Sequence, residues 1–405
     1  MEKSFRMELA GRPLIVETGK MAKQASGAVL VRYGETVVLV TSTASKEARE
    51  GMDFFPLTVD YEEKMYAVGK MPGGFLRREG RPGNSAILNA RLIDRPIRPL
   101  FDKRCRNDIH VMATVLSVDY DNAPELCGML GASASLGISD IPWDGPIAGV
   151  RVGRIDGQFV INPTQEQLKV STLNITVAGS ETAILMVEGG AQEAPEEDVL
   201  DAIMFGHKTI KELVAFQKKI IEEVGKPKRT LIFPEIPEEI KTAIYAYAER
   251  PLKEAIFNPD KLTREAHMEE VRKEAEAHFK EIYPENGSDI AECLNHLTKE
   301  IVRHMISVDK IRPDGRALDE IRPISCEVGL LPRVHGSALF TRGQTQALTI
   351  TTLAPMSETQ IIDDLTQETE KRYIHQYNFP SYSVGETKSS RGPGRREICL
   401  LYTSD

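Results

Sequence analysis

The chain is predicted to be an α+β protein in which two similar strand-rich layered domains flank an all-helical module. Three observations carry that prediction: glycine-punctuated β-branched runs fill residues 1–225 and return after residue 309, residues 238–307 read almost wholly as helix, and one hairpin-like segment occurs twice.

In chain order, residues 14–18, 28–32 and 36–43 are short β-branched runs separated by Gly19, Gly27 and Gly34, the pattern of a meander with tight turns. Residues 53–61 (DFFPLTVDY) and 109–120 continue the strand pattern. The run GMLGASASLG at 128–137 suits a helix lying close on a sheet, where bulky side chains would force the layers apart. Strands resume at 146–152, 158–161 and 173–178. A long amphipathic helix follows over 197–224, with Val199, Ile203, Ile210, Leu213, Ile220 and Ile221 at helical spacing. Helices packed on one sheet would make a layered domain of residues 1–225.

Residues 226–308 are expected to be a proline-bearing linker (KPKRTLIFPEIPEEI) followed by helices whose charges alternate in sign. His267, His278, His296 and His304 have no ligand spacing, so metal chemistry is not expected there. Beyond Arg312-Pro-Asp-Gly-Arg316 the sheet pattern returns. VRYGETVVLVTSTAS at 31–45 matches FTRGQTQALTITTLA at 340–354, with Gly34 over Gly343 and Thr36 over Thr345, an offset of 309. A second echo is read between GFLRRE, ending at Glu79, and PGRRE, ending at Glu397. Duplication would explain both.

The apolar, charged and aromatic fractions are 41%, 27% and 6%, those of an ordinary globular protein. No apolar run approaches the ~20 residues that span a bilayer, and the acidic residues near the N-terminus do not suit a secretory leader. Cys105, Cys127, Cys293, Cys326 and Cys399 are isolated and read as free thiols, which points to a reducing cytoplasm and no membrane.

Charge is the strongest chemical signal. The stretch at 75–106, FLRREGRPGNSAILNARLIDRPIRPLFDKRCR, carries eight Arg and one Lys against Glu79, Asp94 and Asp102. Its surplus of six, inside a chain of net charge -9, leaves the remainder at about -15. The surrounding Gly and Pro place Arg77, Arg78 and Arg81 on a loop. Residues 85–94 read as a helix with Arg91 and Arg95 on one face, ended by Pro96. The planar guanidinium pairs with phosphate through two hydrogen bonds, so the preference for Arg over Lys favours a polyanion partner. The competing reading is a solvated basic face stitched by structural ion pairs.

With GGFLRREGRP, ARLIDRPIRPLF, GMLGASAS, RPDGR and NFPSYSVGETKSSRGPGRREI in this order, the chain resembles the bacterial polyribonucleotide nucleotidyltransferase (polynucleotide phosphorylase) family over residues 5–398. The resemblance implies duplicated RNase PH-like (ribosomal protein S5 domain 2-like) layered domains joined by an all-helical domain: a first domain at 1–225, the linker and helical domain at 226–308, and the start of a second domain at 309–398. It implies phosphate-dependent 3'-to-5' degradation of RNA releasing nucleoside diphosphates, the reverse polymerisation, and a role in mRNA turnover. Partners would be single-stranded RNA, inorganic phosphate, nucleoside diphosphates, two further copies in a homotrimeric ring, and proteins of the RNA-degradation machinery. Phe75, Leu76, Arg77, Arg78 and Arg81 would line the RNA channel. Arg91, Arg95, Arg395 and Arg396 would grip RNA and phosphate at the catalytic centre.

Mg2+ is the implied cofactor, held in the family by an Asp-x-x-x-x-x-Asp-x-Lys cluster that would lie downstream of residue 405; no metal ligands are expected within this chain. The family's motif ends Asp-x-Asp-x-Lys-Val-Ala-Gly, and the corresponding first-repeat positions are Thr172, Asn174 and Thr176, followed by Val177, Ala178 and Gly179; a hard divalent cation needs anionic oxygens that these lack. Ser133 and Ser135 stand where the second domain has its phosphate serines, and here read as packing residues. The tail CLLYTSD, 399–405, departs from the pattern, as a shortened reading frame would. Two alternatives stay open: a non-catalytic RNA-binding ring subunit, and a ribosomal-type RNA-binding protein sharing only the layered fold.

Overall fold

The structure is a computed structural model and describes residues 2–48, 54–73, 75–231, 236–365, 369–387, 389 and 392–402. Met1–Phe233 with Met356–Asp405 make one compact body, and Pro234–Pro355 a second.

The first body begins with β1 (Lys3–Leu9), β2 (Arg12–Thr18), β3 (Gly27–Tyr33), β4 (Thr36–Ala48) and β5 (Leu57–Glu62), then α1 (Asn84–Ile97) and β6 (Asn107–Ser117). These strands form one sheet in the order β1-β2-β3-β4-β6-β5, antiparallel except for the parallel β5/β6 pair. The sequence had suggested a single sheet under the helices. Instead α2 (Pro124–Ile138) leads into a second, four-stranded sheet built from β7 (Ala148–Ile155), β8 (Gln158–Ile161), β9 (Leu173–Gly179) and β10 (Ile184–Ala191), in the order β10-β9-β7-β8. The short α3 (Gln165–Val170) joins β8 to β9, and α4 (Glu196–Val224) follows β10 and packs on β7 and β9.

Small residues explain how α2 lies between these layers. Every residue of it from Leu126 onward is buried, with contacts to β3, β4 and β6 and to β7. A Cβ at Gly131 would come within 2.4 Å of Val40 Cγ2. Ser133 and Ser135 are fully buried as well. Ser133 Oγ accepts the Ile147 N–H at 2.9 Å, and Ser135 Oγ meets Ser42 Oγ at 2.5 Å, so both stitch layers together.

Pro96 does not end its helix. It sits buried in the last turn of α1, and the Arg98 N–H still reaches the Asp94 carbonyl beyond it. A proline one residue from a helix end removes a single hydrogen bond, which packing of Ile93, Pro96 and Ile97 in the core outweighs. The expected strand at 53–61 begins only at Leu57, and Asp53 lies outside the described residues.

The second body contains α5 (Glu238–Ile256), α6 (Lys261–Ile282) and α7 (Gly287–Ser307), packed around Ile244, Leu252, Phe279 and Leu297. Of the anticipated linker, residues 232–235 lie outside the described set. A three-stranded antiparallel sheet follows: β11 (Ile324–Val328), β12 (Gly336–Arg342) and β13 (Thr345–Thr351). The duplication shows here in the hydrogen-bond register. Tyr33 pairs with Thr36 around Gly34 at φ 59°, and Arg342 pairs with Thr345 around Gly343 at φ 60°.

The last segment returns to the first body with β14 (Gln360–Ile362), β15 (Thr369–Lys371) and α8 (Arg395–Tyr402), the helix packing on α1. It repeats a second device. The 3-10 turn Met65–Val68 closes on Gly69 at φ 70°, and the turn Ser381–Val384 closes on Gly385 at φ 72°. Among the described residues no helix is long and apolar enough to cross a membrane.

Candidate nucleic-acid interface

The arginine-rich stretch divides into two parts. The loop before α1 carries Phe75 and Leu76 at 99% and 82% exposure, an extent that leaves both apolar side chains open to a partner. Arg77 takes a left-handed backbone at φ 48°, and Glu79 anchors the loop by accepting the Met65 N–H at 3.2 Å. The side chains of Arg77, Arg78, Arg81, Arg91 and Lys103 are exposed and make no hydrogen bond or ion pair among the described residues.

The other cations are committed within the chain. Arg98 grips Asp94 through Nη2 at 2.7 Å and Nε at 3.0 Å and reaches the Leu57 carbonyl of β5. Arg104 does the same to Asp102, whose carboxyl is held down at about 2 by those hydrogen bonds. Arg106 donates to the carbonyls of Lys103 and Cys105. Ion pairs of the kind that stitch a basic face are therefore present at Arg98 and Arg104, whereas the loop arginines, Arg91 and Lys103 have no such partner among the described residues.

The proposed catalytic arginines divide the same way. Arg95 Nη1 lies 2.5 Å from Glu188 Oε2 on β10, so Arg91 is the unpaired member of the pair on α1. On α8, Arg395 donates through Nη2 to Asp60 Oδ1 at 2.6 Å and through Nη1 to the Val59 carbonyl at 3.2 Å, both on β5. Asp60 Oδ2 also meets His110 Nε2 at 3.0 Å. Arg396 stacks over the Phe379 ring, 4.6 Å from its centroid. Asp60, Glu188 and Phe379 were not singled out in the sequence. Glu188 carries no local signal, Phe379 lies inside the quoted NFPSYSVGETKSS motif without being marked as a partner of Arg396, and Asp60 shows only as a polar position in the alternating strand.

The echo of two arginine pairs is not structural. Arg77 and Arg78 occupy the loop ahead of α1, whereas Arg395 and Arg396 form the first turn of α8. Gly83 precedes α1 as Gly394 precedes α8, which sets Asn84 and Ser85 opposite Arg395 and Arg396. In the first copy Ser85 Oγ donates instead to Glu63 Oε1 at 2.9 Å.

Glu63 is the most perturbed carboxyl here. Burial pushes it up to about 7, the charges of Asp364 and Glu125 add to this, and hydrogen bonds from Ser85 and Asn89 oppose it. Thr172, just before β9, and Asn174 on it are exposed, and Thr176 is buried opposite Glu188. The nearest carboxylate across the strand pair is thus already held by Arg95. These neutral side chains do not fit a divalent cation, and among the described residues no group of three acids, His or Cys is assembled for one.

Comparison with known proteins agrees with the duplication. The 3' exoribonuclease family, domain 1, matches residues 10–142 and again 320–403, together more than half of the chain. Domain 2 of that family matches 145–209, and the polyribonucleotide nucleotidyltransferase RNA binding domain matches 239–317. The polyribonucleotide nucleotidyltransferases of Heliobacterium modesticaldum and Syntrophomonas wolfei are each 59% identical, over 97% and 98% of this chain and 56% of their own length. That of Geobacillus kaustophilus is 56% identical over 97% of this chain and 55% of its length. The chain spans about half the length of the curated relatives it matches. With the register of the two hairpins, the twice-matched exoribonuclease domain and relatives at this identity, the chain belongs to the polyribonucleotide nucleotidyltransferase family of RNase PH-type 3' exoribonucleases.

Proposed function

We propose that this chain is the RNA-holding part of an enzyme of phosphate-dependent 3'-to-5' RNA degradation, which releases nucleoside diphosphates and runs in reverse as a polymerase, in mRNA turnover. The observation that carries the reading is the set Arg77, Arg78, Arg81 and Arg91, whose side chains are unpaired among the described residues, inside a twice-matched exoribonuclease domain. Guanidiniums without internal partners are free to take phosphate oxygens, and Phe75 and Leu76 offer apolar surface for unstacked bases.

Residues 1–225 are proposed as the first RNase PH-like domain, 226–308 as linker and helical domain, and 309–398 as belonging to the second such domain. Three copies in a ring would bring the Phe75 loops around a common RNA path, in the cytoplasm. Phosphorolysis needs two anions brought together and the developing charge neutralised. Arg91 and Arg396 can meet RNA or phosphate directly. Arg95 and Arg395 must first release Glu188 and Asp60, or act with those carboxylates in place. The family's Mg2+ would supply further charge stabilisation, but Thr172, Asn174 and Thr176 do not fit it and no step is assigned to it through them.

The second reading, a non-catalytic RNA-binding ring subunit, is favoured by those same neutral residues. Joining this chain to a family segment that carries the Asp-x-x-x-x-x-Asp-x-Lys cluster separates the two. Diphosphate release from RNA in phosphate and Mg2+ supports the enzyme, and RNA retention without release supports the subunit. Failure to bind RNA at all overturns both.

A further inference from the structure

The Arg312-Pro-Asp-Gly-Arg316 turn builds a site of its own in the second body. It closes on itself, with the Gly315 N–H on the Arg312 carbonyl at 2.8 Å, the Arg312 N–H on the Arg316 carbonyl at 3.0 Å, and Gly315 at φ 83°. The Asn258 N–H binds the Pro313 carbonyl at 3.1 Å and pins the turn to the end of α5. Beside it opens a cleft of about 410 Å3, walled by Arg264 of α6, Ile306 of α7, and residues 312–314, 316 and 318. That size falls within the range of small-molecule sites.

Three guanidiniums face one carboxylate there. Arg316 Nε pairs with Asp314 Oδ2 at 2.9 Å, while Arg264 and Arg312 have no carboxylate at ion-pair distance among the described residues. All three are oriented by backbone carbonyls. Arg264 Nη1 donates to Asn258 at 2.6 Å, Arg312 to Leu318 and Glu320, and Arg316 Nη1 to Glu320 at 2.8 Å. A carbonyl fixes a guanidinium without cancelling its charge, so the cleft holds positive charge already positioned, and little side-chain freedom remains to be lost on binding. Ile306, Pro313 and Leu318 supply an apolar wall beside it.

We propose that this cleft binds a nucleoside diphosphate, its diphosphate on Arg264, Arg312 and Arg316 and its base against Ile306, Pro313 and Leu318. Forked guanidiniums recognise phosphate oxygens two at a time, and a terminal diphosphate concentrates its charge on adjacent groups as an RNA backbone does not. The inference does not rest on the proposed phosphorolysis.

Amide hydrogen exchange of the whole chain with and without ADP tests it, because protection is read at the site itself and separately from any binding on α1 or α8. ADP is expected to slow exchange across residues 258–264 and 306–318. Arg264→Gln should weaken that protection on the order of tenfold, the loss of one charge-assisted contact, and Arg312→Gln should do likewise. Arg264 holds the turn by no bond to residues 312–320, so its variant keeps the test valid if Arg312→Gln loosens the turn. Arg396→Gln should leave the protection intact. The proposal is overturned if ADP protects nothing there, if both cleft variants are protected as before, if inorganic phosphate protects at the same concentration, or if single-stranded RNA without terminal phosphates displaces ADP.

Discussion

Arg395 and Asp60 stand 335 residues apart in sequence and 2.6 Å apart in space, and their ion pair ties the first turn of α8 to strand β5. Asp60 is shared, since its second oxygen meets His110. The guanidinium is 58% exposed, so the pair is screened by solvent and contributes less than about 1 kcal/mol to stability. Its larger effect is on availability, because a carboxylate that occupies Arg395 competes with any phosphate for it.

Asp60→Asn is therefore expected to leave the unfolding midpoint almost unchanged while tightening binding of single-stranded RNA several-fold at low salt. Fluorescence anisotropy of a labelled oligonucleotide measures this. Equal affinity in variant and parent would remove Arg395 from the RNA path.

The loop before α1 should act through counterion release, since the side chains of Arg77 and Arg78 make no hydrogen bond or ion pair among the described residues. Replacing both with Ala is expected to flatten the slope of log affinity against log salt by roughly one to two units. An unchanged slope would place the loop off the RNA path.

Much of this was legible in the sequence because it is local. The hairpin around Gly34 and that around Gly343 share turn chemistry and strand pattern, and both were readable at the 309 offset and found in register. β10 was missed because Gly189 and Gly190 break its pattern. Gly189 is there since a Cβ would meet the Asn174 carbonyl of β9 at 2.2 Å. Pairing across space was not legible. Nothing near Arg95 in the chain announces Glu188, and Arg-Arg-Glu at two positions looked like one motif until one copy proved to be loop and the other helix.

Packing of α2 gives a stability prediction. Gly131→Ala would place a methyl 2.4 Å from Val40 Cγ2 and 2.9 Å from its Cβ, and the helix, buried on both faces, has no open side toward which to shift. A cost of about 1–3 kcal/mol is expected, read as a lower urea midpoint with an unchanged m-value.

Glu63 should make stability depend on pH near neutrality. Burial lifts its carboxyl from 4.5 to about 7, so between those values the folded chain holds a proton that the unfolded chain releases. The favourable contribution is complete below the lower value and is lost as pH rises through the upper one. Solvent access limits it to roughly 1–3 kcal/mol. Glu63→Gln keeps an acceptor for Ser85 and should flatten the profile, most visibly as a gain at pH above 7 in denaturant titrations. A parallel loss at every pH would mean that Glu63 is ionised in the folded chain.

The last prediction concerns catalysis by the chain itself, which should hold RNA yet release nucleoside diphosphates poorly. Charge develops on the leaving oxygen during phosphorolysis and must be met by something fixed. At the first-repeat position the chain offers Thr172, Asn174 and Thr176, and the carboxylate opposite Thr176, Glu188, is bound to Arg95 at 2.5 Å. Arg91 and Arg396 can position phosphates, but positioning alone leaves that charge to solvent. Missing electrostatic stabilisation of this kind costs a factor of about a hundred to a thousand. Phosphate-dependent release of labelled diphosphates from RNA, measured in Mg2+ with the purified chain, should therefore fall at least that far below release by a full-length relative. Release at the relative's rate would show that the first repeat is itself the catalytic centre, with Arg95 and Glu188 as working parts of it.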